Sequence, residues 1–256
     1  MRPRALKHVT VQEHAWLARQ QMGLAGAFGV SLEQLKCLKS LAINGIDFDV
    51  FIDAENEVRD ENEELILGVC EVDPSSPDSA MISVTKVSPD NPEQLVLSTL
   101  AHEIAHAIYD APSWIVDANR GPDLFGGAET LAPRRATRTV TVDRTHLGKS
   151  SLEPKDLPSR DVYFSELRAN EFMGSFLVPY RLLSAAVEAR ANDFGIDCRR
   201  PSLHEDFRGG QLEIVTTQFC DQHAIEELQL ALSDDFGVHQ RFIQVRLERY
   251  GILAKK

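Results

Sequence analysis

The chain has 256 residues, 43% of them hydrophobic, with four cysteines and a formal net charge of −12. That much apolar material builds one substantial core or two modest ones. Cys37, Cys70, Cys198 and Cys220 show neither CxxC spacing nor a paired pattern, which argues against a disulfide framework and a cysteine-built metal knuckle and for free thiols in a reducing compartment, while the acidic balance argues against general nucleic-acid binding, which calls for a basic surface.

The first 21 residues, MRPRALKHVTVQEHAWLARQQ, are basic but interrupted by His, Gln and Glu, with no apolar signal core after them. The longest mildly apolar stretch, Gly23 to Leu32, is too short and glycine-rich to cross a bilayer. A cytoplasmic protein with no membrane partner is therefore expected. Residues 1–45 read as helical, with Trp16, Leu17, Leu24, Leu32, Leu35, Leu38 and Leu41 near helical spacing and breaks at Gly23 and Gly29. Ile46 to Ile52, IDFDVFI, alternates as a half-buried strand does, and Leu65 to Val72 and Met81 to Val87 form two more apolar runs joined through DPSSPDS. A small antiparallel or mixed sheet follows from these runs.

Ser88-Pro-Asp-Asn-Pro-Glu93 is a strong helix start, with Asn91 as the expected cap and Pro92 in the first turn. The helix predicted over Gln94 to Tyr109 buries Leu97, Leu100, Ile104 and Ile108 on one side and carries His102-Glu103-Ile104-Ala105-His106 on another. Two histidines four apart project one turn from each other and reach one metal ion, here expected to be zinc. Glu103 then stands beside the metal as the general base that takes a proton from water. Tyr109 and Pro112 occupy the places where a metzincin needs Gly and His, so that architecture is excluded. A glutamate from a later helix is the other common solution, and SELRANEFMGSFLVP, ended at Pro179, is the convincing helix in reach. Within it Glu166 is the expected third ligand, with Asn170 on the same face to accept a hydrogen bond from the distal nitrogen of a ligand histidine; Glu171, on a different face, is the alternative.

The HEIAH helix, the later ExxANEF helix closing in LVP, and the C-terminal stretch DDFGVHQRFIQVRLERYGIL together resemble the ImmA/IrrE family of bacterial and phage metallopeptidases, over roughly Ile66 to the C-terminus. The resemblance implies an α+β, zincin-like fold of the gluzincin type. It implies zinc held by His102, His106 and Glu166 with Glu103 as base. It also implies a substrate, a small helix-turn-helix repressor whose cleavage switches on stress, DNA-damage or anti-phage defence genes. Met173-Gly174 and Val178 depart from the usual pattern conservatively. By the same likeness, residues 111–162 look inserted; they carry a basic cluster that includes Arg134, Arg135 and Arg138. A lid, a docking surface for the repressor, and a sensor that binds single-stranded DNA as an activator compete as roles for it.

The expected organisation is an N-terminal helical region and first strand over 1–60, a catalytic core over 61–180, and a mostly helical region over 181–256. In that last region Ile225 to Leu232 and Gln240 to Tyr250 read as helices flanking Phe236-Gly237-Val238, a helical hairpin rather than a helix-turn-helix. Met81 to Val84 is a candidate edge strand beside the metal. Tyr109, His146 and Tyr163 are candidate oxyanion stabilisers. Cys70 reads as a buried small hydrophobe or, as a thiolate, an inhibitory fourth ligand. The rival functions are a DNA-binding transcriptional regulator with a structural or vestigial metal site, and a zinc-bound interaction module without peptidase activity.

Overall fold

A computed structural model describes residues 6–43, 45–60, 62–73, 75–119, 160–200, 211–215 and 222–254. Arg134, Arg135, Arg138, His146, Cys220 and most of the 111–162 segment lie outside the described residues. The described chain forms an α+β protein in two compact units, one drawn from 6–25, 31–119 and 160–176, the other from 26–30 and 177–254. No described helix is long and apolar enough to cross a membrane.

In the first unit, helix α1 (His8–Gln21) and the short α2 (Leu32–Lys36) precede the sheet. Ser31 caps α2 through a reciprocal box with Gln34. The helical expectation stops there, because Ser40–Ile43 is strand β1. Leu41 and Ile43 point inward and pair with Phe48 and Ile46 of β2 (Ile46–Asp53), so Leu41 follows a strand's period of two rather than a helix.

The four-stranded sheet has the order β1-β2-β6-β5, with β5 over Gly68–Glu71 and β6 over Ser79–Val84. It is mixed. The β1–β2 and β5–β6 pairs are antiparallel, while β2 and β6 run parallel, since the chain between them makes a crossover rather than a hairpin. β6 is therefore an inner strand, and β5 is the outer strand at that end, which corrects the expected edge at Met81 to Val84. The run Leu65 to Val72 is also divided. Leu65–Ile66 (β4) pairs with Val58–Arg59 (β3) in a separate ribbon, and Val58, Ile66 and Val69 share a small core there.

Helix α3 (Glu93–Tyr109) packs across β2, β5 and β6. Its cap is Pro92, not Asn91, because Asn91 is turned back into a turn in which its N–H donates to Ser88 Oγ at 3.1 Å. The helix is buried on every side from Thr99 to Tyr109. A one-sided amphipathic helix was expected, but Ala101, Ala105 and Ala107 let neighbours close in around it, and α3 becomes a central helix. Strand β5 comes equally close. A Cβ on Gly68 would stand 2.6 Å from Thr99 Cγ2 and 3.3 Å from Glu103 Cγ, so the strand passes the metal-motif helix at a distance only glycine permits.

After α3 come α4 (Ala111–Asn119) and, later, α5 (Arg160–Leu177). The fully buried Arg19 of α1 donates to the carbonyl of Leu24 and to that of Phe176, a group in the last turn of α5 that no helical partner can reach. In the second unit α6 (Tyr180–Arg190) starts after Pro179, a ribbon of β7 (Cys198–Arg199) and β8 (Glu213–Ile214) follows, and α7 (Gln222–Phe236) packs on α8 (Gln240–Arg249). Gly237, at φ 65°, makes the turn between the last two helices.

Candidate metal centre

His102 and His106 stand one turn apart on α3, their ring centroids 4.8 Å apart and their planes at 72°. The ring nitrogens Nε2 approach each other to 3.1 Å. From α5, Glu166 presents Oε2 at 3.3 Å from His102 Nε2 and Oε1 at 3.5 Å from His106 Nε2. The three residues are 5%, 7% and 6% exposed for His102, His106 and Glu166. They form the one His, Cys, Asp or Glu group among the described residues whose donor atoms gather tightly enough, within 4.8 Å, to hold a metal ion.

The separations are informative. A tetrahedral ion with bonds of about 2.0–2.1 Å has ligand-to-ligand edges of roughly 3.3–3.4 Å by simple trigonometry. The observed 3.1, 3.3 and 3.5 Å lie around that edge length. The donor set is two neutral-capable imidazoles and a carboxylate, which suits a divalent cation.

The electrostatics are those of a site that wants positive charge. Burial pulls the His106 imidazole down, but its hydrogen bond to Asp110 and the charges of Glu166, Glu103 and Asp110 outweigh this and hold it up at about 9. Burial pushes the Glu166 carboxyl up, yet the hydrogen bond from His102 and the charges of both histidines keep it below the ordinary carboxylate range. Asp110 behaves alike: burial raises it, and His106, Arg168 and Ser165 together lower it further.

The support expected from Asn170 comes from Asp110 instead. The Asp110 Oδ2 lies 2.9 Å from His106 Nδ1 and accepts from Ser165 Oγ at 2.6 Å, while Oδ1 accepts from Arg168 Nη2 at 2.5 Å. Asn170 is half-buried one turn beyond Glu166. The reason for the exchange lies in the helix period, because Asp110 follows His106 by four residues and so shares its face. His102 Nδ1, by contrast, is buried with no hydrogen-bond partner among the described residues. Trp114 of α4 stacks against His106 at 6.2 Å and 27°. Asp110, Ser165, Arg168 and Trp114 were missed from sequence; only the His106–Asp110 spacing offered a signal.

Glu171 belongs elsewhere. It accepts from Gln12 Nε2 at 2.9 Å and Ser175 Oγ at 3.2 Å, so it anchors α1, and the carboxylate that meets the two histidines is that of Glu166. Glu103, buried on α3, lies against β5 at Gly68. Cys70 is buried on β5 and stands outside the three-residue group. Burial pushes its thiol well up, and the carboxylates of Glu103, Asp110 and Glu71 push the same way, which favours the small-hydrophobe reading over a thiolate ligand. The Tyr109 hydroxyl is engaged by His14 Nδ1 at 3.1 Å and the two rings stack, which ties this phenol to α1. Tyr163 is half-buried, edge-on to Phe164.

Compared with protein-family models, curated proteins and solved structures, the chain finds no match in any of the three. The chemistry of the site therefore rests on its own geometry.

Proposed function

We propose that this chain is a zinc-dependent endopeptidase of the ImmA/IrrE type, zincin-like in fold, acting in the cytoplasm on a small helix-turn-helix repressor. The observation that carries the reading is the buried His102–His106–Glu166 triangle with near-tetrahedral edges, next to a glutamate that takes no part in the triangle. A structural metal site would have no use for that glutamate.

Zinc in a two-histidine, one-glutamate set polarises a carbonyl and acidifies water to a pKa of about 7. The chain's own residues do the rest. His102 and His106, whose Nε2 atoms face each other and Glu166, would hold the ion, and Glu166 would complete the set from the second helix. Glu103, between the histidines, accepts a proton at its carboxylate and returns it to the leaving amine. Its position against β5 puts the base beside the outer strand of the sheet. A substrate segment in extended form adds along that strand, held by main-chain hydrogen bonds that read conformation more than sequence. Trp114, stacked on His106, sets an aromatic face against that ring.

The test is cleavage of candidate helix-turn-helix repressors, beginning with any encoded beside this chain, by wild type and Glu103→Gln. One tightly held zinc per chain is expected in both proteins. Cleavage should fall by about 10²–10⁴-fold in the variant, the usual contribution of a general base. Equal cleavage by both proteins, or a wild type that binds no zinc, overturns the reading. A zinc-loaded wild type that cleaves nothing and shifts operator DNA would return the function to a DNA-binding regulator.

A further inference from the structure

We infer that Asp110 is a positioning residue that joins the two ligand-bearing helices and thereby assembles the metal site before any ion arrives. The inference rests on the metal-centre reading above and concerns how that centre is held. Asp110 is 3% exposed and ends the turn that follows His106. Its two oxygens have separate duties. Oδ2 meets His106 Nδ1 and the Ser165 hydroxyl; Oδ1 meets the Arg168 guanidinium.

Ser165 and Arg168 bracket Glu166 on α5, one residue before it and two after. The carboxylate therefore grips α5 on both sides of the third ligand while holding the second ligand on α3. Arg168 is itself 5% exposed, so the two form a buried ion pair, and breaking a buried pair by removing one partner is costly. An acceptor at Nδ1 fixes the tautomer. When the ring gives up a proton, the acceptor at Nδ1 keeps the remaining one there and turns the Nε2 lone pair toward His102 and Glu166, as a ligand must. No equivalent exists for His102, whose buried Nδ1 has no partner among the described residues. His106 and Glu166 thus form the rigid half of the site, and His102 completes it.

The experiment compares wild type, Asp110→Asn, Ser165→Ala and, as a control, Glu171→Gln, a buried carboxylate engaged with α1 rather than with the site. Zinc affinity is read by competition with a chromogenic chelator, and the cobalt-substituted proteins by visible absorption. Asp110→Asn is expected to bind zinc 10–100-fold more weakly, the usual loss when a partner of a metal-bound histidine is removed, with an altered cobalt spectrum. Ser165→Ala should lose less, and Glu171→Gln should match wild type in both readouts.

Unchanged affinity and spectrum in a folded Asp110→Asn overturn the inference and leave the peptidase reading standing. A wild type that binds no metal overturns both. Should Asp110→Asn fail to fold, imidazole nitrogen NMR of metal-free wild type below neutral and metal-loaded wild type decides. A hydrogen-bonded proton on Nδ1 of His106 in the loaded protein supports the inference; a metal-bound Nδ1 refutes it.

Discussion

His106 is the residue on which most of the site's electrostatics converge. In the metal-free protein its pKa is held at about 9 against an ordinary 6.5, so its charged form stabilises the fold fully below about pH 6.5, and this contribution is lost as pH rises through about 9. Asp110 and Glu166 act in the opposite sense. Their folded-state values are depressed, so their contribution is present above the ordinary carboxylate range and lost as pH falls below it. Melting of chelator-treated protein should therefore weaken from about pH 6.5 toward 9 and again in acid. A metal can bind only when His106 gives up its proton, so zinc affinity should rise with pH up to about 9 and each binding event near pH 7 should release close to one proton from this ring. Calorimetric titration in two buffers of different ionisation enthalpy measures that release; none at pH 7 would contradict the assignment. At this scale the sequence was legible where a spacing has one physical consequence. His102, Glu103 and His106 share a helix and could be placed by its period alone, and Glu166 by the need for a third ligand. Asp110 has the same four-residue relation to His106, yet a carboxylate near a helix end is ordinarily a solvated surface group, and only its burial beneath Arg168 reveals its use.

At the scale of elements, the contact that matters most is between β5 and α3. Gly68 is what allows it, since Thr99 is fully buried, is β-branched, and is tied by its hydroxyl to Leu95 O at 2.8 Å, so its methyl has nowhere to move. Gly68→Ala should destabilise the protein by about 1–3 kcal/mol, the usual cost of overpacking. Because the added methyl also nears Glu103 Cγ, cleavage should fall beyond what lost stability explains, at unchanged zinc content. Denaturant melts with zinc analysis measure the first and third quantities, and a peptide-cleavage assay on the folded fraction the second. The mixed sheet could not have been read from the strands. IDFDVFI and SAMISV show which residues face inward, but the parallel pairing of β2 with β6 depends on how the connecting chain travels. The exchange of edge strands, β5 for β6, follows from the same crossover.

Over the whole molecule, the three candidate ligands, Glu103 and the Asp110 network all fall in the first unit, and α6 to α8 in the second. Hydrogen exchange should therefore register metal binding locally. Added protection is expected in α3 and α5 on zinc loading, with α7 and α8 unchanged. Equal gains in α7 and α8 would mean that the second unit takes part in holding the ion.

The sequence by itself determined what its local periods encode: a helix with two imidazoles on one face, a second helix with a carboxylate at the right place, and strands with one buried side. The tertiary structure decided strand order, which strand is outermost, which of Glu166 and Glu171 meets the histidines, and that Asp110 meets His106 Nδ1. The division has a plain cause. Turn-to-turn spacing is fixed by backbone geometry within a few residues, whereas Asp110 and Arg168 become partners across 58 positions only once two helices have packed.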